Sequence, residues 1–271
     1  MTPRSANAMK AAEQYDFCVP FFERLRQAHS RTLLLDYDGT LAPFTTDRNR
    51  AFPYPEVPEL VARIMRTGTR VVLVSGRAAT ELLFLIRIDP QPEIWGSHGM
   101  ERLHSDGSYV LDTLDPLQHH ALQAAKQDLR DSGLNDYLET KPGSVAVHWR
   151  GLSPDKQHRI ANKVRSVCGP AVSGAGLELL SFDGGLELRI PGKTKGDAVE
   201  AVLSESKEDT VAAYLGDDQT DENAFHAIKG RGLAVLVRPE YRPTAANVWL
   251  RPPEELVHFL RDWLVACGAE P

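Results

Sequence analysis

Arg31-Thr32-Leu33-Leu34-Leu35-Asp36-Tyr37-Asp38-Gly39-Thr40 takes a short run of leucine and threonine straight into two carboxylates that flank one residue. The apolar run has the length and composition of a strand buried on both faces, as in a parallel sheet. Glycine and threonine then turn the chain. Two carboxylates leaving a strand end together are costly to bury unless a positive charge neutralises them. A hard divalent cation such as Mg²⁺ suits them, since it takes oxygen ligands and keeps several waters. Once the charge is neutralised, one carboxylate is free to attack an electrophile held on the metal. Asp36 to Thr40 also fit an ordinary turn with a capping aspartate.

Outward from this stretch, strands and helices alternate, which predicts a doubly wound parallel sheet of Rossmann-like type. On the N-terminal side, residues 1–15 read as a loose leader, and Pro20–Ala28 as a short helix with Phe21, Phe22 and Leu25 on one face. On the other side, a strand over Thr32–Asp36 is followed by a helix over Val57–Thr67, with Gly68 where a C-cap is expected. Arg70–Val74 is a second strand, ending at Ser75-Gly76-Arg77, and a helix starts near Ala78. Ile94-Trp95-Gly96-Ser97-His98-Gly99 reads as a third strand breaking into a loop. The pattern resumes with a helix over Lys195–Ser206, a strand over Val211–Leu215 and a helix over Thr220–Ile228. Strands at Leu233–Val237 and Val248–Leu250 and a helix over Pro253–Cys267 complete it.

Between these two blocks the texture changes. Short one-sided strands are expected at Tyr109–Asp112, Tyr137–Thr140, Ser144–Trp149, Leu177–Ser181 and Gly185–Arg189, with helices over Leu117–Asp131 and Asp155–Val167. One-sided strands with helices on a single face describe a smaller α/β cap domain inserted into the core. The expected division is a core of residues 1–103 and 190–271 and a cap of 104–189.

Ligands of open parallel sheets bind beyond the carboxyl ends of the strands. Four such ends carry suitable residues. Asp36 and Asp38 are the first. Ser75 and Gly76 offer a hydroxyl and backbone N–H groups to a phosphate oxygen, though Ser75 also reads as a helix N-cap. Lys195, in Thr194-Lys195-Gly196, starts a helix; a solvated lysine is the plain alternative, and Lys193 is a second candidate for the same task. The last is Leu215-Gly216-Asp217-Asp218-Gln219-Thr220-Asp221-Glu222, in which four acids stand together without a basic neighbour. Asp221 and Glu222 suit a first helical turn, whereas Asp217 and Asp218 precede it and point to metal ligation.

These pieces, in this order, resemble the four motifs of the haloacid-dehalogenase superfamily. Asp36–Pro43, Ser75-Gly76-Arg77, Gly96-Ser97-His98-Gly99 and Gly216–Glu222 are similar, more narrowly, to the trehalose-6-phosphate phosphatases, from about Arg31 to Leu264. The resemblance implies Asp36 as nucleophile and Mg²⁺ ligand. Asp38 would bind Mg²⁺ through its carbonyl and act as general acid, then base, through its carboxyl. Asp217 would ligate directly and Asp218, or else Asp221, through water, while Ser75, Gly76 and Lys195 hold the phosphoryl group. In the cap, Glu139 and Lys141, His148 and Arg150, and Glu187 form polar stripes, since residues two apart on a strand share a face. A polar stripe alone is a solvated face; the resemblance implies that these residues hold sugar hydroxyls, with Gly96, Ser97 and His98 close to the same sugar. His119-His120 has no acid or cysteine at metal spacing and reads as helix surface.

Composition agrees with a soluble enzyme of 271 residues: 42% hydrophobic, 25% charged, net charge −6 and no Lys/Arg block, which disfavours nucleic acid. The N-terminal ten residues lack an apolar core for secretion, and no run is long enough to span a membrane. Cys18, Cys168 and Cys267 fit no disulfide framework or metal spacing, so a cytoplasmic location is expected. The expected activity is hydrolysis of trehalose 6-phosphate by a protein, favoured as a monomer, whose only partner is its small sugar phosphate. The alternatives are a phosphatase or phosphomutase for glucosylglycerol phosphate, sucrose phosphate or mannose phosphate, and a carbohydrate-binding regulatory module without catalysis.

Overall fold

The structure, a computed structural model, describes residues 18–45, 47–182 and 184–270. The expected leader lies outside the described residues. Helix α1 occupies residues 18–27. The chain divides into two compact units, one running to Tyr109 and resuming at Thr194, the other Val110–Lys193.

The larger unit is built on strands β1 (Arg31–Leu35), β2 (Arg70–Val74), β3 (Glu93–Gly96) and β4 (Glu101–Leu103), with helices α2 (Val57–Arg66) and α3 (Ala79–Ile86) between them. β5 (Tyr109–Leu111) closes this half. After the smaller unit come α6 (Lys195–Glu205), β10 (Val211–Gly216), α7 (Glu222–Ile228), β11 (Gly232–Val237), β12 (Val248–Leu250) and α8 (Glu254–Ala266). The sheet order is β12-β11-β10-β1-β2-β3-β4-β5. All pairs from β12 to β3 are parallel, and β4 runs antiparallel to β3.

Alternation along the central strands separates two apolar layers, as expected for strands buried on both faces. Leu33 and Leu35 of β1, Val71 and Leu73 of β2 and Val211, Ala213 and Leu215 of β10 pack with α1, α2 and α8. Leu34, Val72, Val74, Ala212 and Tyr214 point the other way, to α6 and α7. The sheet is therefore doubly wound, with β1 at its centre between β10 and β2. The functional consequence is direct: β1 and β10 end side by side, Leu35 opposite Leu215.

The smaller unit has a four-stranded antiparallel sheet in the order β6-β7-β9-β8. Its strands are β6 (Leu138–Lys141), β7 (Ser144–His148), β8 (Glu178–Phe182) and β9 (Gly185–Arg189). Helices α4 (Pro116–Leu129) and α5 (Pro154–Ala175) pack on each other and on these strands. Val145, Val147, Leu186 and Leu188 are buried together with Leu122 and Leu129 of α4 and Ile160 and Val164 of α5.

Three sequence expectations shift. The short strand β4 was not anticipated, and it draws Tyr109–Leu111 into the large sheet: a turn from His104 to Ser108 closes a hairpin (His104 N–H to Ser108 O, 2.8 Å). The division between the compact units falls within β5, at Tyr109/Val110, and at Lys193/Thr194, not at 103/104 and 189/190. Helix α5 continues through Pro170 to Ala175 and stops at Gly176, whose φ of 67° is the left-handed C-terminal stop.

Candidate active site

The site is assembled at the carboxyl ends of β1 and β10 from four buried side chains. Asp36 follows β1, and its N–H donates to Leu215 O at 2.8 Å, which extends the β1–β10 ladder one residue into the site. Lys195, the first residue of α6, places Nζ 2.7 Å from Asp36 Oδ1 and 2.8 Å from Asp221 Oδ1. Helix α6 begins there because Thr194 and Asp197 form a reciprocal capping box. Lys193 pairs instead with Asp112, 3.0 Å away in the smaller unit.

Asp217 directly follows β10. Ligand-type oxygens of Asp36, Asp217 and Asp221 lie within 4.8 Å of one another. One lysine thus faces three buried carboxylates, so this cluster carries excess negative charge. Burial, then the charge of Asp221, pushes Asp36 up to about 7, although Lys195 pulls it down. Burial, then Asp36 and Asp221, raises Asp217 well above the carboxylate range. Burial pulls Lys195 down, but Asp221 and Asp36 outweigh it and the pKa is raised, so the ammonium keeps its proton.

A divalent cation fits this set on two observations. Asp217 Oδ1 is buried and, among the described residues, has no hydrogen-bond partner. Gly39, at φ 81°, leaves room beside Asp217: a Cβ there would fall 2.3 Å from Oδ2. The donors are all carboxylate oxygens, the type that hard cations select.

Asp218, expected to act through water, lies outside the cluster of direct ligand oxygens. Its carboxylate accepts from Gln219 N–H at 2.5 Å and caps the turn that precedes α7. Asp221, the alternative to Asp218 beside the metal, is the acid that joins Asp36 and Asp217. Both Asp221 oxygens are filled, Oδ1 by Lys195 Nζ and Tyr214 Oη (2.6 Å), Oδ2 by the N–H groups of Asp217 (3.0 Å) and Asp218 (2.8 Å). Asp221 therefore shapes the loop that presents Asp217. Arg242, also missed, holds this loop from outside by donating to the carbonyls of Asp217 and Asp218. No spacing in the sequence singled it out.

Asp38 sits near this cluster in sequence, but its carboxylate is turned to Arg77. The guanidinium grips it in a fork, Nε to Oδ2 at 2.6 Å and Nη2 to Oδ1 at 2.7 Å. Glu81 on α3 in turn accepts from Arg77 Nη1 at 2.7 Å and from Arg48. Ser75 Oγ accepts from Arg77 N–H at 3.2 Å, which leaves its own hydrogen to donate. Gly76 packs against the His98 ring. Ser97 is buried and its hydroxyl donates to Glu101 at 2.6 Å.

In the smaller unit the expected polar residues form one cluster. Lys141 Nζ lies 2.8 Å from Glu187 Oε1 and 3.4 Å from Glu139 Oε1, and Glu139 Oε2 meets His148 Nε2 at 2.7 Å. Register explains it: Ala146 of β7 lies between Glu139 of β6 and Glu187 of β9, so both carboxylates share a face with His148. Ser144, unanticipated, donates to Glu187 at 2.7 Å. Arg150 lies beyond the end of β7, beside Gly184. His119 and His120 are exposed on α4.

A doubly wound sheet whose central strand ends in Asp36, faced by a buried lysine and further carboxylates, defines a phosphomonoester hydrolase of the haloacid-dehalogenase-like kind. The sequence matches the trehalose-phosphatase family over residues 34–250, and the chain belongs to that family. It is 29% identical to a probable trehalose-phosphate phosphatase 3 of Oryza sativa subsp. japonica, covering 96% of this chain and 78% of that protein. Its fold superposes on the C. albicans trehalose-6-phosphate phosphatase C-terminal domain with a TM-score of 0.71 at 21% identity, covering 92% of this chain and 96% of that one. A haloacid dehalogenase-like hydrolase from Bacteroides thetaiotaomicron shares the fold at 16% identity and a TM-score of 0.63, covering 86% and 98%.

Proposed function

We propose that the chain hydrolyses trehalose 6-phosphate to trehalose and phosphate, with Asp36 as nucleophile and Mg²⁺ as its cation. The observation that carries the reading is the buried contact of Asp36 with Lys195 beside Asp217 and Asp221. Asp36 and Asp217, with the carbonyl of Asp38, would hold the cation. When bound, it would offset the repulsion between the phosphate and the attacking carboxylate and polarise a phosphoryl oxygen.

Lys195 fixes Asp36 through Oδ1 and adds a positive charge where the phosphoryl oxygens gather. Asp36 forms a bond to phosphorus as the bond to the sugar oxygen breaks, and Asp38 gives that oxygen its proton. Asp38 then takes a proton from water, which attacks the aspartyl-phosphate and restores Asp36. For this, the Asp38 carboxyl exchanges Arg77 for the ester oxygen, so the fork with Arg77 is a resting arrangement. Ser75 donates its free hydroxyl hydrogen to a phosphoryl oxygen, and the N–H of Gly76 lies in the same turn. In the smaller unit, Glu139, Lys141, His148, Arg150 and Glu187 would recognise sugar hydroxyls, charge-assisted hydrogen bonds being the stronger kind.

No described helix is long and apolar enough to cross a membrane. We place the protein in the cytoplasm as a monomer acting on a small molecule, a reading supported by the free thiols of Cys18, Cys168 and Cys267. Asp36→Asn keeps the shape of the residue and removes its attacking charge. Phosphate release from trehalose 6-phosphate should fall to background in that variant, and in wild type with excess EDTA. Undiminished release in either case would overturn the mechanism. Wild type that ignores trehalose 6-phosphate but cleaves another sugar phosphate would overturn the substrate alone.

A further inference from the structure

Two consecutive residues that carry side chains, Ser97 and His98, have left-handed backbone angles, φ 48° and 59°, and Gly99 follows at φ 100°. Such conformations are uphill for residues with a Cβ and persist only where the surroundings enforce them. Here the enforcement is visible. Ser97 N–H donates to Arg77 O at 2.7 Å and His98 N–H to Ser75 O at 2.9 Å, so the strained turn is laced to the Ser75-Gly76-Arg77 turn on both sides of Gly76. The imidazole then lies against Gly76, where a Cβ would come within 2.7 Å of Cε1 and 2.8 Å of Nε2. The ring is half-buried.

A further fastening is Glu101, at the start of β4 and 2% exposed. Its Oε1 accepts from Ser97 Oγ at 2.6 Å and from Ala79 N–H, the first residue of α3, at 3.2 Å. Its Oε2 accepts from Tyr109 Oη at 2.9 Å. One buried carboxylate thus ties together the strained turn, the helix that follows the Ser75 turn and the start of β5. Burying a carboxylate merely to bridge neutral donors is expensive. The geometry is explained if the shape of this turn matters.

We propose that Glu101 is the positioning residue that holds His98 against Gly76, and that His98 contacts the phosphate-bearing end of the substrate, not its remote sugar. The proposal rests on the reading of Ser75-Gly76 as the phosphoryl-binding turn. Glu101 touches no reacting atom; it acts only through the turn that carries the imidazole.

A double-mutant cycle on kcat/KM tests this, with wild type, Glu101→Ala, His98→Asn and the combination. Each single change should cost on the order of 10-fold, the scale of one lost polar contact in a transition state. The double variant should be no slower than His98→Asn alone. Glu101→Gln keeps an oxygen acceptor for Ser97 and Ala79 and should restore most of the loss. Additive losses in the double variant would make Glu101 a purely structural residue, and wild-type rates in His98→Asn would remove the contact; either result overturns the proposal. Should Glu101→Ala fail to fold, Ser97→Ala takes its place in the same cycle, since it cuts the same fastening at its other end. The cycle is run with trehalose 6-phosphate and with p-nitrophenyl phosphate, which share only the phosphoryl group. Coupling seen with p-nitrophenyl phosphate in a chain inactive on trehalose 6-phosphate would overturn the substrate and uphold this inference. A chain inactive on both would overturn both.

Discussion

At the scale of single residues, the decisive quantity at this site is charge balance. Among the described residues, Asp36, Asp217 and Asp221 share one lysine, and Asp217 keeps a buried oxygen that no donor fills. Repulsion of this kind opposes folding until a cation is supplied. Asp217→Asn removes a carboxylate from this crowded cluster and, on the proposed reading, a cation ligand with it. Without metal, the variant should melt at the same temperature as wild type or higher. Adding Mg²⁺ should raise the wild-type melting temperature by mass action and leave the variant nearly unmoved. Equal shifts in scanning calorimetry would exclude Asp217 as a ligand. Arg77 shows the reverse balance, spreading one guanidinium over Asp38 and Glu81.

At the scale of elements, side chains that join strands and helices decide what each surface does. In the smaller unit, register puts Glu139, Lys141 and Glu187 in contact from strands β6 and β9. Alanine at any of these three should lower kcat/KM for trehalose 6-phosphate by about 1–3 kcal/mol, the range for charged hydrogen-bonding groups. Hydrolysis of p-nitrophenyl phosphate, which has no sugar, should hardly change; an unaltered ratio of the two specificity constants would reduce the cluster to a structural one. In the larger unit, Glu205 at the end of α6 binds Arg102 of β4 and Arg70 of β2. Its bond to Arg102, reinforced by Arg70, lowers its pKa from 4.5 to about 2. A depressed acid contributes stability that is present above its unfolded value and lost as pH falls toward the folded one. The melting-temperature gap between wild type and Glu205→Gln should therefore be constant above about pH 5 and close between 4.5 and 2. Because Glu205 is partly exposed, the gap should also shrink in high salt. The elements themselves differed in how far sequence disclosed them. β1, β2 and β10 were legible because strands buried on both faces read as continuous apolar runs. β4 was not, being three residues, Glu101-Arg102-Leu103, of which two are charged. Asp221 was visible as an acid, but its neighbour Asp218 offered the same chemistry, and only the turn between them decides which one faces inward.

At the scale of the whole molecule, the sheet order matters more than any local motif. β1 and β10 are neighbours in the sheet, yet the entire smaller unit is threaded between them in sequence. The ends of two such distant segments meet only after a long loop has closed, which is entropically costly and slow. Asp36 and Asp217 should therefore come together late in folding. A cation held by Asp36 and Asp217 would act as a coincidence detector for the completed core, since neither segment alone supplies both carboxylates. A metal that engages only the completed site cannot guide the search for it; it can only delay departure. In stopped-flow experiments Mg²⁺ should slow the unfolding arm of the chevron and leave the refolding arm in place. Faster refolding with Mg²⁺ would mean that β1 and β10 are already joined at the barrier. If only the unfolding arm moves, the working cofactor doubles as a clasp whose strength sets how long each folded molecule lasts.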